Sequence, residues 1–177
     1  LRLLNAHIGI QERILLNGQV RRGSELVFEG TAFNDVVVGK GGSGRLIDLE
    51  ISINSEFVYS QRADGLVVTT PTGTTAYALS AGGPIVHPTL AAVALVPICP
   101  HTLSARPIVV SSHSRSELHL TYADDARVHF DGQHHFDLIS GDHVWITRAS
   151  RPVTLLHPHS YSYYDTLRQK LHWGKQL

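Results

Sequence analysis

The chain has 177 residues, enough for a domain with its own core, and 42% of them are hydrophobic, as in an ordinary globular protein. Lys+Arg and Asp+Glu balance at 15 each, which excludes a basic footprint for nucleic acid or an anionic membrane, and no apolar stretch approaches the ~20 residues of a membrane span. The single cysteine, Cys99, excludes an internal disulfide and fits a reducing compartment, so a cytoplasmic location is expected.

In chain order, Asn17-Gly18 is the first turn signal. Ala32 to Val38 reads as an apolar strand with Asn34 and Asp35 side by side. A strand sends neighbours to opposite faces, so both cannot point into a core. Gly39-Lys40-Gly41-Gly42-Ser43-Gly44 lacks the Gly-x-x-x-x-Gly-Lys-Ser/Thr order and a strand–helix setting. It reads as a flexible hairpin loop rather than a phosphate cradle. Leu46 to Ile53 alternates, with Ile47, Leu49, Ile51 and Ile53 on one face and Asp48, Glu50 and Ser52 on the other.

Leu66 to Thr70 predicts a strand, followed by a hydroxyl-rich turn and a short helix that Gly82-Gly83-Pro84 stops. One threonine of this turn is expected to cap the helix. The other hydroxyls and the unpaired helix N–H groups are expected to be free for an adenine, a ribose or a phosphate; a capped turn in an ordinary α/β protein is the alternative. Further alternation marks strands around Leu118–Tyr122, Val128–Phe130 and Val144–Thr147, with turn signals at Asp131-Gly132 and Ser140-Gly141-Asp142. A last helix is predicted over Tyr163–Trp173, with Ser162 and Asp165 at capping-box spacing, Tyr163, Leu167 and Leu171 on one face, and Gly174 past its end. The fold class is therefore mainly β: antiparallel stacked sheets like a β-sandwich, in one domain spanning 1–177, with one short internal helix and a C-terminal helix. Twelve histidines form no His-Glu-x-x-His, and no second cysteine exists for a zinc site, so no metal site of the chain's own is expected.

The run Asp64-Gly65-Leu66-Val67-Val68-Thr69-Thr70-Pro71-Thr72-Gly73-Thr74-Thr75-Ala76-Tyr77-Ala78-Leu79-Ser80-Ala81-Gly82-Gly83-Pro84 resembles the signature of the NAD kinases, which phosphorylate NAD to NADP. Ala32–Val38 is similar to the family's Asn-acidic pair in an apolar strand, and Tyr59–Gly65 to the segment leading into the signature. Ala94–Pro107 is similar to its second characteristic stretch, and Asp131-Gly132-Gln133 and Leu167–Gly174 match as well, in the family's order and over nearly the whole chain. Members of the family begin with an α/β domain whose Gly-Gly-Asp-Gly supplies the catalytic aspartate. Here the Gly-Gly pairs are followed by Ser43 and Pro84. The resemblance thus implies the C-terminal, NAD-binding half of a bacterial ATP-dependent NAD kinase, opening at Leu1-Arg2-Leu3-Leu4 inside the first strand of that domain.

By the same resemblance, ATP's γ-phosphoryl passes to the 2′-hydroxyl of the adenosine ribose of NAD, with a divalent ion, Mg2+, arriving with ATP. Asn34 and Asp35 (often Glu in the family) are expected to hold ribose and base, and Thr75, Ala76, Tyr77, Ala78, Leu79 and Ser80 the adenine side. Arg62, Asp64 and Gln133 complete the wall, Arg45 supplies a basic group, and Arg62 and Asp64 act across a subunit interface of a homodimer or homotetramer. The isolated chain is expected to be inactive, with its catalytic base elsewhere. The alternative is a non-catalytic NAD- or NADP-binding or oligomerisation module.

Overall fold

Period-two alternation builds most of what the computed structural model describes, which is residues 8–42 and 44–173. In chain order the strands are β1 (Ile8–Arg13), β2 (Leu16–Arg22), β3 (Glu25–Ala32), β4 (Asp35–Lys40), β5 (Ile47–Ile53), β6 (Glu56–Ala63) and β7 (Gly65–Thr69). A 3-10 turn (Gly73–Thr75) and helix α1 (Tyr77–Ser80) follow. Then come β8 (Ala92–Ile98), β9 (Ile108–Ser111), β10 (Ser116–Tyr122), β11 (Ala126–Phe130), β12 (His134–Leu138), β13 (Asp142–Arg148), β14 (Val153–Pro158) and helix α2 (Tyr163–Leu171).

The chain divides into two compact units. In residues 13–152 the strands form two six-stranded sheets, ordered β3-β2-β13-β10-β5-β6 and β12-β11-β4-β7-β8-β9, and the pairings described are antiparallel. Inward residues of both sheets share one core: Val20, Leu49, Ile51, Leu118 and Val144 from the first, Val36, Val38, Leu66, Val68 and Val128 from the second. Strands β2, β5, β10, β11 and β13 bury every second residue, so a one-residue slip there would expose the whole set, whereas β7 and most of β4 and β8 are buried on both faces. The fold class read from the sequence is the one observed.

Asn17-Gly18 is not a turn but the middle of β2, paired with Thr31 and Gly30 of β3. The glycine serves packing instead. Phe130, only 2% exposed, reaches across from the second sheet, and a Cβ at Gly18 would stand 2.7 Å from its Cε1. Gly30, opposite Gly18, is under the same restriction at 3.0 Å. The other two turn signals hold. Asp131 (φ 53°) and Gly132 (φ 66°) make a tight β11–β12 turn, and Gly141 (φ 93°) one before β13. Both need the left-handed backbone that glycine and Asx residues tolerate.

In the second unit, residues 1–12 and 153–177, β1 and β14 form a two-stranded sheet. α2 starts as read: Ser162 is its N-cap, and the Ser162 hydroxyl accepts the Asp165 N–H at 3.2 Å. Its end differs. His172, at φ 55°, takes the left-handed position assigned to Gly174, and Gly174, like Leu1–Leu4, lies outside the described residues. Among the described residues, no helix is long and apolar enough to cross a membrane.

Candidate functional site

The outer face of the second sheet carries a cavity of about 470 Å3. Val36 and Val38 of β4 turn into the sandwich, so Asp35, Val37 and Gly39 turn outward and line the cavity floor. The walls come from Asn34, Lys40, Asp64, Ile98, His129, the Asp131-Gly132 turn, and Ala76 with Tyr77 at the start of α1. α1 is anchored there by Ala78, which is buried against Val37, Val67, Ala94 and Val96.

The threonines do not cap the helix. α1 has Ala76 as N-cap and no side-chain cap bond. Their hydroxyls lock the backbone instead: Thr69 Oγ1 donates to the Asn34 carbonyl at 3.0 Å, Thr70 Oγ1 to that of Phe33 at 2.8 Å, and Thr74 Oγ1 to that of Pro71 at 2.7 Å. Thr70 and Thr74 also accept the N–H groups of Gly73 and Val86. Gly73 is required by this close approach, since a Cβ there would lie 2.2 Å from the Asn34 carbonyl oxygen. Thr69 and Thr70 therefore hold Phe33–Asn34 in place, and with Thr74 they present no free hydroxyl, because a buried hydroxyl without a partner is costly.

Asp131 holds the same segment from the other side. Its carboxylate accepts the backbone N–H groups of Phe33 (2.8 Å), Asn34 (2.7 Å) and Asp35 (3.1 Å), while its own N–H donates to the Asp35 carbonyl at 3.0 Å. Sequence reasoning missed this role, because Asp-Gly is fully explained as a hairpin turn. The Asp35 carboxyl group accepts no hydrogen bond from the described residues and is 4% exposed, its open side being the cavity. Burial first, and the nearby Asp131 charge second, push its pKa up to about 6.

The remaining expected residues fall into three groups. Asp64 lines the cavity in an ion pair with Lys40 (2.7 Å), and Tyr77, 48% exposed, presents its ring there. Ala78 is a packing residue, and Thr75, Leu79, Ser80 and Gln133 do not line the cavity. Arg45 is on the surface, paired with Asp124 at 2.6 Å. Arg62 is not brought together with Asp64: it grips Asp48 through two 2.7 Å bonds and lines a different cavity. Lys40, His129 and Asp131 are lining residues that the sequence reading left out. Lys40 stood in the glycine run read as a loop, but it belongs to β4. His129 sits opposite Val37, and burial, then His135 and Arg127, hold its pKa below the usual histidine range.

The cavity therefore has one carboxylate open to a ligand's hydroxyls, a second balanced by a lysine, and a third saturated by backbone. That donor set suits the hydroxyl-bearing face of a nucleoside better than a bare phosphate. Among the described residues, no three His, Cys, Asp or Glu side chains converge to hold a metal.

The family described as ATP-NAD kinase C-terminal domain matches residues 33–157. An NAD kinase of Thiobacillus denitrificans is 86% identical over 175 residues, covering 99% of this chain and 60% of that protein. One of Chromobacterium violaceum is 56% identical over 167 residues, covering 94% and 57%. The chain thus spans about three fifths of the length of these curated relatives. Among solved structures, yeast NADH kinase complexed with NADH superposes with a TM-score of 0.89 at 29% identity, over 95% of this chain and 50% of that one. An NAD kinase from Archaeoglobus fulgidus in complex with ATP gives 0.76 at 27% identity, over 92% and 60%. The match to residues 33–157 takes in every wall of the cavity, and on it the chain belongs to the ATP-NAD kinase C-terminal domain family.

Proposed function

We propose that this chain is the dinucleotide-binding part of a cytoplasmic, homo-oligomeric NAD kinase, which transfers the γ-phosphoryl of ATP to the 2′-hydroxyl of the adenosine ribose of NAD. The observation that carries this reading is the buried Asp35 carboxyl group, open only toward the cavity, on a segment fixed by Asp131, Thr69 and Thr70. A carboxylate at a strand end that takes two ribose hydroxyls is a recurrent dinucleotide-binding device. Tyr77 offers the base a ring to stack on, and Asn34 a polar neighbour. Phosphoryl transfer depends on positioning and electrostatics, and these residues do the positioning: they hold the ribose and exclude water from one side of it.

Mg2+ enters this reading with the phosphates of ATP, as part of that substrate. The described residues form no resident metal site, and no step is assigned to one. Arg62 and Asp64 acting on a neighbouring subunit's nucleotide is part of the same proposal, and their placement in separate cavities is compatible with Arg62 facing outward.

The experiment is a chimera in which this chain replaces the matching part of the Thiobacillus denitrificans NAD kinase, assayed by coupled NADP formation. Activity that Asp35→Ala removes while the protein stays folded supports the reading. An inactive, folded chimera whose parent is active refutes it.

A further inference from the structure

Strand register fixes what the outer face of the first sheet presents. Val20, Leu49, Leu118 and Val144 turn into the core, so their neighbours along β2, β5, β10 and β13 turn outward. Across these four middle strands of the sheet, one outward row reads Arg21, His143, His119, Glu50. The next reads Gln19, Trp145, Glu117, Ser52. The first row therefore carries a cation at its β2 end and a carboxylate at its β5 end.

The centre of this face is pre-organised. Arg21 on β2 and Arg115, the residue before β10, come from the two sides of β13 and stand over the Trp145 ring at 4.4 and 4.6 Å. Three N–H donors of this group, Arg21 Nε, Trp145 Nε1 and Arg115 Nε, are buried without a hydrogen-bond partner. Leaving such donors unpaired is costly, and an ordinary water-facing sheet has no need of the arrangement. Beside it the His119 and His143 rings stack at 4.2 Å with planes 5° apart, His143 on Glu117 at 2.9 Å and His119 on Glu50 at 3.3 Å. Tryptophan and arginine held rigid at the middle of a polar face are the residue types that anchor protein interfaces. Phe57, which continues the second row beyond Ser52, is 61% exposed.

We infer that this face is an interface between two copies of the chain, with the two-fold axis parallel to the strands over the β13–β10 seam, so that Arg21 of each copy pairs with Glu50 of the other. The charge pattern selects the occupant. A partner of a single charge sign would meet like charge at one end of the row. A second copy turned about that axis reverses the row, sets β2 against β5, and satisfies both ends by one operation. The same rotation sets Trp145 against Glu117 of the second copy. Stacked sheets lie about 10 Å apart, a gap that an arginine and a glutamate span together. Six strands about 4.8 Å apart, with about seven residues at roughly 3.3 Å each, give a footprint of ~550 Å2 in projection. Side-chain relief brings that to the scale of the ~800 Å2 a stable interface buries on each partner. The inference rests on the homo-oligomeric reading above in taking a second copy as the partner, and its test separates the two.

The test is sedimentation equilibrium of the 177-residue chain at micromolar concentration, with melts followed by circular dichroism as the check on folding. The parent chain is expected to self-associate. Arg21→Glu and Glu50→Arg should each weaken association by about thirty-fold or more, since each sets two like-charged pairs across the axis. The exchange variant carrying both changes should return to within about three-fold of the parent, a rescue that a purely structural role of either residue would not give. Should a reversal fail to fold, Arg21→Gln and Glu50→Gln read the same contact, each with an expected loss of about ten-fold. A chain that stays monomeric would overturn this interface and the homo-oligomeric reading together. An oligomer indifferent to both substitutions, or one weakened by each and not rescued by the exchange, would overturn this face and leave the homo-oligomeric reading standing.

Discussion

The carboxylate of Asp131 accepts the backbone N–H of Asp35 at 3.1 Å, and its charge is one of the two causes that raise the Asp35 side-chain pKa to about 6. One aspartate thus fixes the backbone of the other and makes its ionised side chain less comfortable. The site holds a carboxylate that gains from hydroxyl donors supplied by a ligand.

The first prediction is a stability effect of opposite sign to the binding effect. The folded pKa of Asp35 lies above its ordinary value of 3.8, so the folded state holds the proton more tightly. Stability falls as pH rises from 3.8 to about 6 and stays lowered above that window, while at lower pH both states are protonated and the effect vanishes. Asp35→Asn keeps the shape and removes the charge. Its unfolding free energy should exceed that of the parent chain by up to about 3 kcal/mol at neutral pH, as the rise from 3.8 to about 6 implies, with little difference near pH 4. Urea unfolding at the two pH values measures this. Equal stability at neutral pH would mean the carboxylate is already satisfied.

Thr70→Val tests the claim that the signature turn is a clamp. It removes the bonds to the Phe33 carbonyl and the Gly73 N–H while keeping the volume. A loss of about 1–3 kcal/mol is expected from the stranded buried groups, together with weaker dinucleotide binding, although Thr70 is not a lining residue of the cavity. Unchanged stability would return the hydroxyl to the ligand.

Gly18→Ala should cost about 1–3 kcal/mol, because the new methyl meets the Phe130 ring in a filled core. Gly23→Ala is the comparison. It has a positive φ of 60° but open space around it, so only backbone strain of roughly 1 kcal/mol is expected. Thermal melts of both rank the two effects, and a harmless Gly18→Ala would show that the phenyl ring moves aside freely.

The sandwich was legible because alternation survives in strands such as β5 and β10: Leu49 and Ile51 against Asp48 and Glu50 read correctly without any tertiary information, while β4, β7 and β8 are near-continuous apolar runs. Asn34, Asp35 and Tyr77 were legible as a group because they stand at the ends of local elements that the sequence marks clearly. Asp131 was not, since its partners lie 96 to 98 residues away in the chain and no local pattern signals them. Gly18 failed for the same reason: Asn-Gly suits a turn, and the ring that demands the glycine belongs to the other sheet. Arg62 and Asp64 share strand parity, but Asp64 lies just past the end of β6, where the backbone N–H pairs with Ile98 and the side chain meets Lys40.

Tyr77→Ala should reduce NAD binding and leave the melting temperature nearly unchanged. The ring is half exposed on the cavity wall, while the adjacent Ala78 supplies the packing that holds α1. Loss of an aromatic stacking surface is worth about 1–3 kcal/mol per base. A large fall in melting temperature with binding intact would make Tyr77 a core residue instead.

Calorimetric titration of NAD into the folded chain at neutral pH, compared with Asp35→Ala, bears most directly on the cavity as a dinucleotide site. Loss of a charge-assisted hydrogen bond to ribose, about 1.5–3 kcal/mol, corresponds to an affinity roughly 10- to 150-fold weaker. Saturable binding that weakens by that factor, in a variant whose melt remains cooperative, is the expected result. NAD binding of equal strength in both proteins would contradict the assignment of Asp35 and of the cavity around it.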